Sequence, residues 1–382
     1  MRRDRHCLDA RHYVDEHVFQ LERERLYGRL WIFAGFAQAL RERHSYFARR
    51  VAGVPVLLQN TATGLRAFIN QCPHRGMPVQ RAGFGARALV CPYHGWSFDG
   101  QGALHAIPNE VEYGFEPQER AGLSMIPVAL RQVGELLFVN LADDPMPIEQ
   151  QFAPQMLAAL DGLSRHLDHR LIHASFPARC NWKLTMENVK DANHVQFLHA
   201  ESLFPAMREE HANRAPPLAP GLTPAPRIVR TAAPPLGALS YAVKTPLDIA
   251  PGWFAPLVER YGTDNAYYNW FLYPNVNLCS INGLHFVLQQ YDPVAPGSSD
   301  YHLWIMTARR KHPDTDFTAL LRTLMSAERA VVEEDLQHLQ ALQGAFGPWS
   351  PPVSHGNYEQ PLIDQHRWYV ANVVHEARHD RE

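Results

Sequence analysis

The hydrophobic pattern of the chain predicts a helix in its first part. Within residues 15–31, apolar side chains recur three to five positions apart among charged ones: Val18, Leu21, Leu26 and Leu30. An apolar stripe with this spacing is typical of an amphipathic helix. We therefore expect residues 1–40 to form a helical part that packs on the larger domain of the protein.

Between about residues 46 and 150 the pattern changes to short apolar runs separated by glycine and proline. The runs are VPVLLQN, RAFINQC, RALVCPY and ELLFVNL, and turn residues bound each of them. Runs of this length and composition are typical of β-strands joined by tight turns. They predict a compact antiparallel β domain over residues 41–150.

Residues 151–382 predict a second domain that mixes helices with strands. A helical stretch at about 148–166 is followed by the strand-like segments LIHASFPARCNWKL, YNWFLYPNVNLCSI, HFVLQQYDPV and YHLWIMTARR. An amphipathic helix then covers about residues 314–343. The expected fold class is α+β, with an antiparallel β domain followed by an antiparallel sheet that helices cover.

Composition and charge exclude several classes of protein. The formal net charge is −3, whereas nucleic-acid binding requires a basic surface. No apolar run approaches the ~20 residues that span a bilayer, and no apolar segment typical of a secretory signal occurs at the start. Five cysteines without such a signal predict a reducing compartment, so we expect the cytoplasm. The 21 histidines draw attention to metals.

Four candidate metal ligands occur as two mixed pairs, C-x-H and C-x2-H. They are Cys72, His74, Cys91 and His94, with sixteen residues between the pairs and a glycine after each pair. Two thiolates on one iron and two imidazoles on the other make up one class of [2Fe–2S] cluster. A zinc site would normally combine C-x2-4-C with H-x3-5-H, so a structural zinc protein is the weaker alternative.

The segments CPHRG and CPYHGWSFDGQGAL resemble the Rieske motif of the large (alpha) subunits of aromatic-ring-hydroxylating oxygenases. Rieske proteins of cytochrome bc complexes usually carry an additional cysteine pair in these loops, and none occurs here. The resemblance implies an antiparallel β Rieske domain and a catalytic domain with a helix-grip-like arrangement. It also implies a mononuclear Fe(II) site.

A second group of candidate ligands has the spacing D-x2-H-x4-H: Asp191, His194 and His199. Two histidines and one carboxylate, with other positions open, are the ligands of non-haem Fe(II) oxygenases. Positions five apart differ by about 140° on a regular helix, so we expect a helix end or a bulge between the two histidines. The segment ENVKDANHVQFLH resembles the iron-binding segment of the same family.

The carboxylate ligand must come from elsewhere, and VVEEDLQHLQ offers Glu333, Glu334 and Asp335. At ~100° per residue, Asp335 falls in the middle of the apolar stripe of its helix, whereas the glutamates lie about 100° and 160° away. A carboxylate on an apolar face is costly unless it is paired or bound to a metal. We therefore expect Asp335 to complete the iron site and the glutamates to face solvent.

Asp191 lies three positions before His194 and is a candidate for orienting that imidazole. In the resembling family, the matching aspartate bridges the iron histidine to a cluster histidine of a neighbouring subunit. The resemblance therefore implies that Asp191 carries electrons between His194 and His94 or His74 of another protomer. A closed homotrimer follows from this arrangement, and a small beta subunit stays open.

The resemblance implies the terminal oxygenase component of a system in which a separate reductase or ferredoxin delivers electrons from NAD(P)H. The expected reaction uses O2 to hydroxylate or dihydroxylate an aromatic substrate, including an aromatic acid. A monooxygenase or O- or N-demethylase of a non-aromatic or methylated substrate stays open, because the iron ligands would be the same. A Rieske electron carrier is the alternative of another class, and the second iron site argues against it.

Five apolar residues are candidates for lining the substrate pocket: Phe204, Met207, Tyr268, Trp270 and Phe286. Aromatic residues on sheets more often belong to the core, so these are the weakest site residues. Residues 205–235 contain eight prolines, which excludes a regular helix or central strand there. A loop of this kind is expected to cap the site.

Overall fold

The computed structural model describes residues 8–191, 193–202, 233–247 and 249–375. The chain divides into two units. The smaller unit is Tyr27–Met146, and the larger combines Met1–Leu26 with Pro147–Glu382. The first boundary lies earlier than the expected residue 40, because a strand of the smaller unit already begins at Ile32. None of the helices in the described ranges combines the length and apolarity needed to cross a bilayer.

The smaller unit contains a seven-stranded antiparallel sheet and a two-stranded hairpin. The strands of the sheet are β1 (Ile32–Phe36), β2 (Ser45–Val51), β3 (Val54–Thr61), β4 (Gly64–Ile69), β5 (Gly83–Ala86), β8 (Pro127–Val133) and β9 (Leu136–Asn140). Their order is β1-β9-β8-β4-β3-β2-β5, and β6 (Ser97–Phe98) pairs with β7 (Leu104–Ala106). A short helix, α3 (Pro117–Ala121), precedes β8. The predicted antiparallel β domain is thus confirmed.

The larger unit is built on a six-stranded antiparallel sheet in the order β10-β15-β14-β13-β12-β11. Its strands are β10 (Leu167–Ala178), β11 (Tyr241–Pro246), β12 (Ala266–Leu272), β13 (Val276–Ile281), β14 (His285–Ala295) and β15 (Ser298–Ala308). Its helices are α1 (Arg11–Val14), α2 (Glu16–Leu21), α4 (Ile148–Gln151), α5 (Pro154–Ser164), α6 (Trp182–Asn188), α7 (Val195–Leu198), α8 (Thr318–Ala345) and α9 (Gln360–Tyr369). The α+β class is therefore confirmed for both units.

Two expected elements end earlier than their sequence patterns indicate. The N-terminal helix continues from α2 into a π-helical turn, Glu22–Tyr27, and stops there rather than at residue 31. The strand-like segment after residue 171 stops at Ala178, because the side chain of Asn181 accepts a hydrogen bond from the N–H of Lys183 and caps α6.

The two faces of the larger sheet carry different residues. On β12 to β15, one face presents Tyr267, Cys279, Tyr291 and Tyr301, as the pairing of the strands requires. Helix α8 packs on this side, since it contacts β10 and β15 and its Arg329 lies 5.5 Å from the ring of Phe176. We call this the helix-side face, and the opposite one the outer face.

A buried carboxylate links the N-terminal helices of the larger unit to helices that come later in the chain. Glu22 is fully buried and accepts hydrogen bonds from Nε1 of Trp182 (2.9 Å) and the hydroxyl of Tyr369 (2.6 Å). It also forms an ion pair with Lys183, whose side chain is 2% exposed. The N-terminal helices are thereby tied to α6 and α9.

Replacing Lys183 with methionine should reduce the free energy of unfolding of the larger unit by about 3–5 kcal/mol, because it leaves the buried Glu22 charge unpaired. Urea denaturation followed by circular dichroism measures this loss. The matched control is Arg165→Met, which breaks the exposed pair with Asp161 and should cost less than about 1 kcal/mol. Equal losses for the two variants would contradict the prediction.

Candidate functional site

The two cysteine–histidine pairs of the smaller unit lie on loops with the same backbone geometry. In each loop the cysteine N–H donates to the carbonyl five residues on, at 2.8 Å for Cys72 and 2.7 Å for Cys91. The glycine four residues on, Gly76 or Gly95, donates back to the cysteine carbonyl. Both glycines have φ of +73°, which side chains rarely adopt, so the glycine after each pair is needed for the turn.

These loops bring the four candidate ligands together as a sulfur pair and a nitrogen pair. The Nδ1 atoms of His74 and His94 are 3.2 Å apart, and the buried thiols of Cys72 and Cys91 contact each other. No three of these four residues have their ligand atoms within 4.8 Å of one another. A single zinc would need all four donors around one centre, whereas a two-iron cluster needs this division. The residues therefore fit a [2Fe–2S] cluster.

Burial and aromatic packing control the protonation of these ligands. Burial raises the pKa of the Cys72 thiol to about 11 in the protein without a metal, so binding of iron must supply the charge that holds the thiolate. Burial, followed by the neighbouring His94, lowers the pKa of His74 and favours the neutral imidazole that ligates metals. The ring of Trp96 stacks on His74 at a centroid distance of 4.8 Å and fixes its orientation.

In the larger unit, His194, His199 and Asp335 form the only group of three metal-ligand side chains, among the described residues, whose ligand atoms lie within 4.8 Å of one another. The Nε2 atoms of both histidines face Oδ1 of Asp335, at 3.7 Å from His194 and 3.0 Å from His199. The one-turn helix α7 begins directly after His194 and ends directly before His199. Because the two histidines lie at opposite ends of this short helix, both can face one point although they are five residues apart.

The other nitrogen of each imidazole faces a second carboxylate. Nδ1 of His199 lies 2.7 Å from Oε2 of Glu334, and Nδ1 of His194 lies 3.8 Å from Oδ2 of Asp191. Carboxylates in this position orient metal-binding histidines and make them more basic. Oδ1 of Asp335 is buried and has no hydrogen-bond partner among the described residues. This oxygen and the two Nε2 atoms are the donor set of non-haem iron, so the residues fit a mononuclear iron.

The two histidines differ in their electrostatic surroundings. Burial is the largest influence on His194 and lowers its pKa, which favours the neutral imidazole. Burial opposes protonation of His199 as well, but its contacts with Asp335 and Glu334 outweigh it and raise the pKa. Protons therefore compete with the metal more strongly at His199 than at His194.

The sequence pattern missed the role of Glu334. Its helical phase predicts a solvent-facing glutamate, and the side chain is indeed 39% exposed. It nevertheless contacts His199 and accepts a hydrogen bond from the hydroxyl of Ser202 at 2.8 Å. The signal available in the sequence is its position next to Asp335, from which a glutamate side chain reaches the far nitrogen of a ligand histidine.

Replacing Glu334 with alanine should weaken Fe(II) binding by about 10–100-fold, because His199 loses the partner that orients it. Equilibrium dialysis against Fe(II) under anaerobic conditions measures the affinity. Glu333→Ala is the matched control, since Glu333 is exposed on the same helix and pairs only with Arg329 at 2.9 Å. An unchanged affinity in Glu334→Ala would show that this contact does not support the site.

The structure describes three of the five candidate pocket residues, and these three do not face this site. Phe204 and Met207, like most of residues 205–235, lie outside the described residues. The other three project from the outer face, where Tyr261 packs against Tyr268, Trp270 and Phe286. Successive side chains of a strand point to opposite faces of the sheet. These three residues alternate with those of the helix-side face and therefore point away from Asp335. These three are core residues of the outer face.

Two family models match the chain. The model of the Rieske [2Fe-2S] domain matches residues 30–127, and that of the ring hydroxylating alpha subunit (catalytic domain) matches residues 160–374, over half of the chain. The match confirms the resemblance that the two motifs indicate. The cluster and the mononuclear iron are the metal groups that these two domains imply.

Curated relatives include both dioxygenases and monooxygenases. The chain is 30% identical over 226 residues to the chlorobenzene dioxygenase subunit alpha of Cupriavidus sp. (strain PS12), covering 55% of this chain and 48% of that one. It is 30% identical over 204 residues to the glycine betaine monooxygenase oxygenase subunit of Chromohalobacter salexigens, covering 52% and 44%. The chain thus spans about half the length of the curated relatives it matches.

Solved structures with the same fold cover nearly the whole chain. A crystal structure of a quaternary ammonium Rieske monooxygenase superposes with a TM-score of 0.73 at 19% identity, over 94% of this chain and 95% of the other. Naphthalene 1,2-dioxygenase from Rhodococcus sp. superposes with a TM-score of 0.67 at 18% identity, over 95% and 94%. With both domain models matched in order, the chain belongs to the ring-hydroxylating alpha-subunit family.

Proposed function

We infer that the chain is the terminal oxygenase component of a Rieske oxygenase system. The convergence of His194, His199 and Asp335 on one point is the observation that supports this most, because an electron carrier has no use for such a site. We assign Cys72, His74, Cys91 and His94 as ligands of the cluster, and the three converging residues as ligands of Fe(II). When bound, the two metal groups supply one-electron transfer and the activation of O2.

The protein's own residues have separate tasks in this proposal. His194, His199 and Asp335 donate from one side and leave the remaining positions open to a small molecule. Glu334 contacts Nδ1 of His199 at 2.7 Å, and the Asp191 carboxylate faces Nδ1 of His194 at 3.8 Å, so both Nε2 atoms are turned toward Asp335. Side chains of the helix-side face, such as Tyr291 and Tyr301, line the sheet behind this point and exclude water.

The two carboxylate oxygens of Asp191 face different neighbours, Asn193 and His194. Oδ1 accepts a hydrogen bond from the N–H of Asn193 at 2.8 Å, while Oδ2 faces His194 and the side chain is 27% exposed. A partly exposed carboxylate beside a candidate iron ligand suits the proposed bridge from His194 to His94 or His74 of a second copy. The corresponding assembly is a homotrimer, with or without a small beta subunit, that receives electrons from a reductase or ferredoxin.

Two reaction types fit the same ligand set. Hydroxylation or dihydroxylation of an aromatic substrate is one, in keeping with a relative named chlorobenzene dioxygenase. Monooxygenation of a non-aromatic or methylated substrate is the other, in keeping with a relative named glycine betaine monooxygenase. The second is favoured by an unpaired carboxylate on α8, described below. We place the protein in the cytoplasm, where its free cysteines stay reduced.

Metal and sulfide analysis of anaerobically purified protein tests the proposed function. We expect about three irons and two acid-labile sulfides per chain, and a Rieske-type EPR signal after reduction with dithionite. Two irons and two sulfides that persist after incubation with Fe(II) would instead support an electron carrier. Zinc without sulfide would refute both.

A further inference from the structure

The helix-side face carries a group of tyrosines next to the candidate iron site. The rings of Tyr291 and Tyr301 are 5.1 Å apart, and Tyr301 stacks on Phe176 at 5.0 Å. Burial is the largest cause that raises the pKa of Tyr301, and both Asp335 and Glu328 add to it. Glu328 acts in the same direction on the pKa of the half-buried Tyr267. Glu328 therefore lies among these tyrosines, on the side of the sheet that faces Asp335.

Among the described residues, Glu328 is the carboxylate of α8 without a hydrogen-bond or ion-pair partner. The helix has four acidic residues, and three are engaged: Glu333 pairs with Arg329, Glu334 contacts His199, and Asp335 faces both histidines. Glu328 forms no hydrogen bond or ion pair with any described residue. Burial raises its pKa to about 7, and no positively charged group in the described part of the chain offsets this effect. An unpaired carboxylate in such surroundings is costly unless something else neutralises it.

The position of Glu328 along α8 relates it to the iron site. Glu328 and Asp335 are seven residues apart, which returns the helix to within about 20° of the same direction. At ~1.5 Å per residue, their backbones are about 10 Å apart along the helix axis. Although its surroundings are protein, Glu328 keeps part of its accessible surface. Glu328 and the iron ligand Asp335 thus lie on the same side of α8, and part of the Glu328 side chain is accessible.

We propose that Glu328 binds the cationic end of the substrate, a substituted ammonium group, and so places a neighbouring carbon next to the iron site. The proposal rests on the oxygenase function proposed above. A carboxylate bordered by tyrosine rings suits an alkylated ammonium, which aromatic rings and an anion both attract. An aromatic carboxylate is the disfavoured class, since its charge would meet Glu328 as a like charge.

Matched pairs of ligands test the proposal on the purified, metal-loaded protein. The pairs are choline with 3,3-dimethylbutan-1-ol, and benzyltrimethylammonium with neopentylbenzene, each a cation and its neutral carbon isostere. Calorimetric titration should show that at least one cation binds about 10-fold or more tightly than its isostere, the range expected for a desolvated charge pair. If neither cation is preferred over its isostere, the proposal is overturned.

Two variants assign the preference to a residue. Glu328→Gln keeps the size of the side chain and should abolish the preference for the cation. Glu333→Gln, on the exposed side of the same helix, should retain it. A preference that survives in Glu328→Gln would overturn the proposal. If Glu328→Gln does not fold, a ligand of opposite charge tests the wild-type protein instead. The proposal would be overturned if benzoate bound more tightly than benzyltrimethylammonium.

Failure of this inference is distinguishable from failure of the proposed function. Metal and sulfide content is measured on the same sample before titration. Protein that holds its irons and shows no preference for cations refutes only the role of Glu328. Protein that lacks iron and sulfide refutes the oxygenase function, whatever it binds, and with that the substrate role.

Discussion

Asp335→Ala should yield a protein that keeps its cluster and loses its mononuclear iron. Oδ1 of Asp335 is the atom that both Nε2 nitrogens face, so its removal leaves two neutral imidazoles and no anionic donor at the site. Because loss of a carboxylate that only orients a ligand costs about 10–100-fold, loss of the ligand itself should lower oxygenase turnover by more than about 100-fold.

The expected analysis of Asp335→Ala is about two irons and two sulfides per chain, with the Rieske EPR signal unchanged. Glu333→Ala, two residues earlier on the exposed side of α8, should keep the wild-type content of both. Retention of a third iron in Asp335→Ala would show that the carboxylate ligand lies elsewhere. Loss of the cluster together with the iron would point to misfolding, which the circular dichroism spectrum reports independently.

Replacing Asp191 with alanine should reduce steady-state turnover by about 10–100-fold while both metal populations remain. His194 keeps its place at the start of α7, but its buried Nδ1 atom, which has no hydrogen-bond partner among the described residues, loses the carboxylate that lies 3.8 Å away. The proposed bridge to a second copy would also be lost. Turnover with the cognate reductase, alongside metal content, measures the effect.

Asp191→Asn separates the effect of the negative charge from the effect of the hydrogen bond that shapes the local backbone. The amide oxygen can still accept the N–H of Asn193, which Oδ1 accepts at 2.8 Å in the native protein, so the local backbone should survive. If the carboxylate charge matters, Asn and Ala will lower turnover alike. Full activity in Asp191→Asn would show instead that the residue only shapes the loop between α6 and α7.

The cluster site could be predicted from sequence because its determinants are local. Each cysteine lies two or three residues from its histidine, and the glycine that closes the turn follows within two positions. Asp335 could also be predicted, although it is 136 residues from His199, because a charged residue on an apolar stripe is physically anomalous. Not every member of that stripe is buried, since Leu342 is 45% exposed near the end of α8.

Sequence and structure differ where the length of a side chain, or the face of the sheet to which a strand residue points, determines its contacts. Glu334 lies off the buried stripe, yet a long side chain carries its carboxylate back to His199. Tyr268 and Tyr267 are neighbours in sequence and equally aromatic, but they point to opposite faces of β12. The sequence alone does not show which of the two alternating sets of side chains on β12 faces helix α8. The sequence does not single out Glu328, because only the three-dimensional arrangement shows that it has no partner among the described residues.

The contacts of Glu22 set an order of events during synthesis on the ribosome. Its partners lie 160, 161 and 347 residues further along the chain, at Trp182, Lys183 and Tyr369. The smaller unit, continuous from Tyr27 to Met146, emerges in full before any of them. It can therefore fold first, as domains generally do during translation. The N-terminal helices can reach their final packing only after Tyr369 emerges, and until then the Glu22 carboxylate is solvated by water.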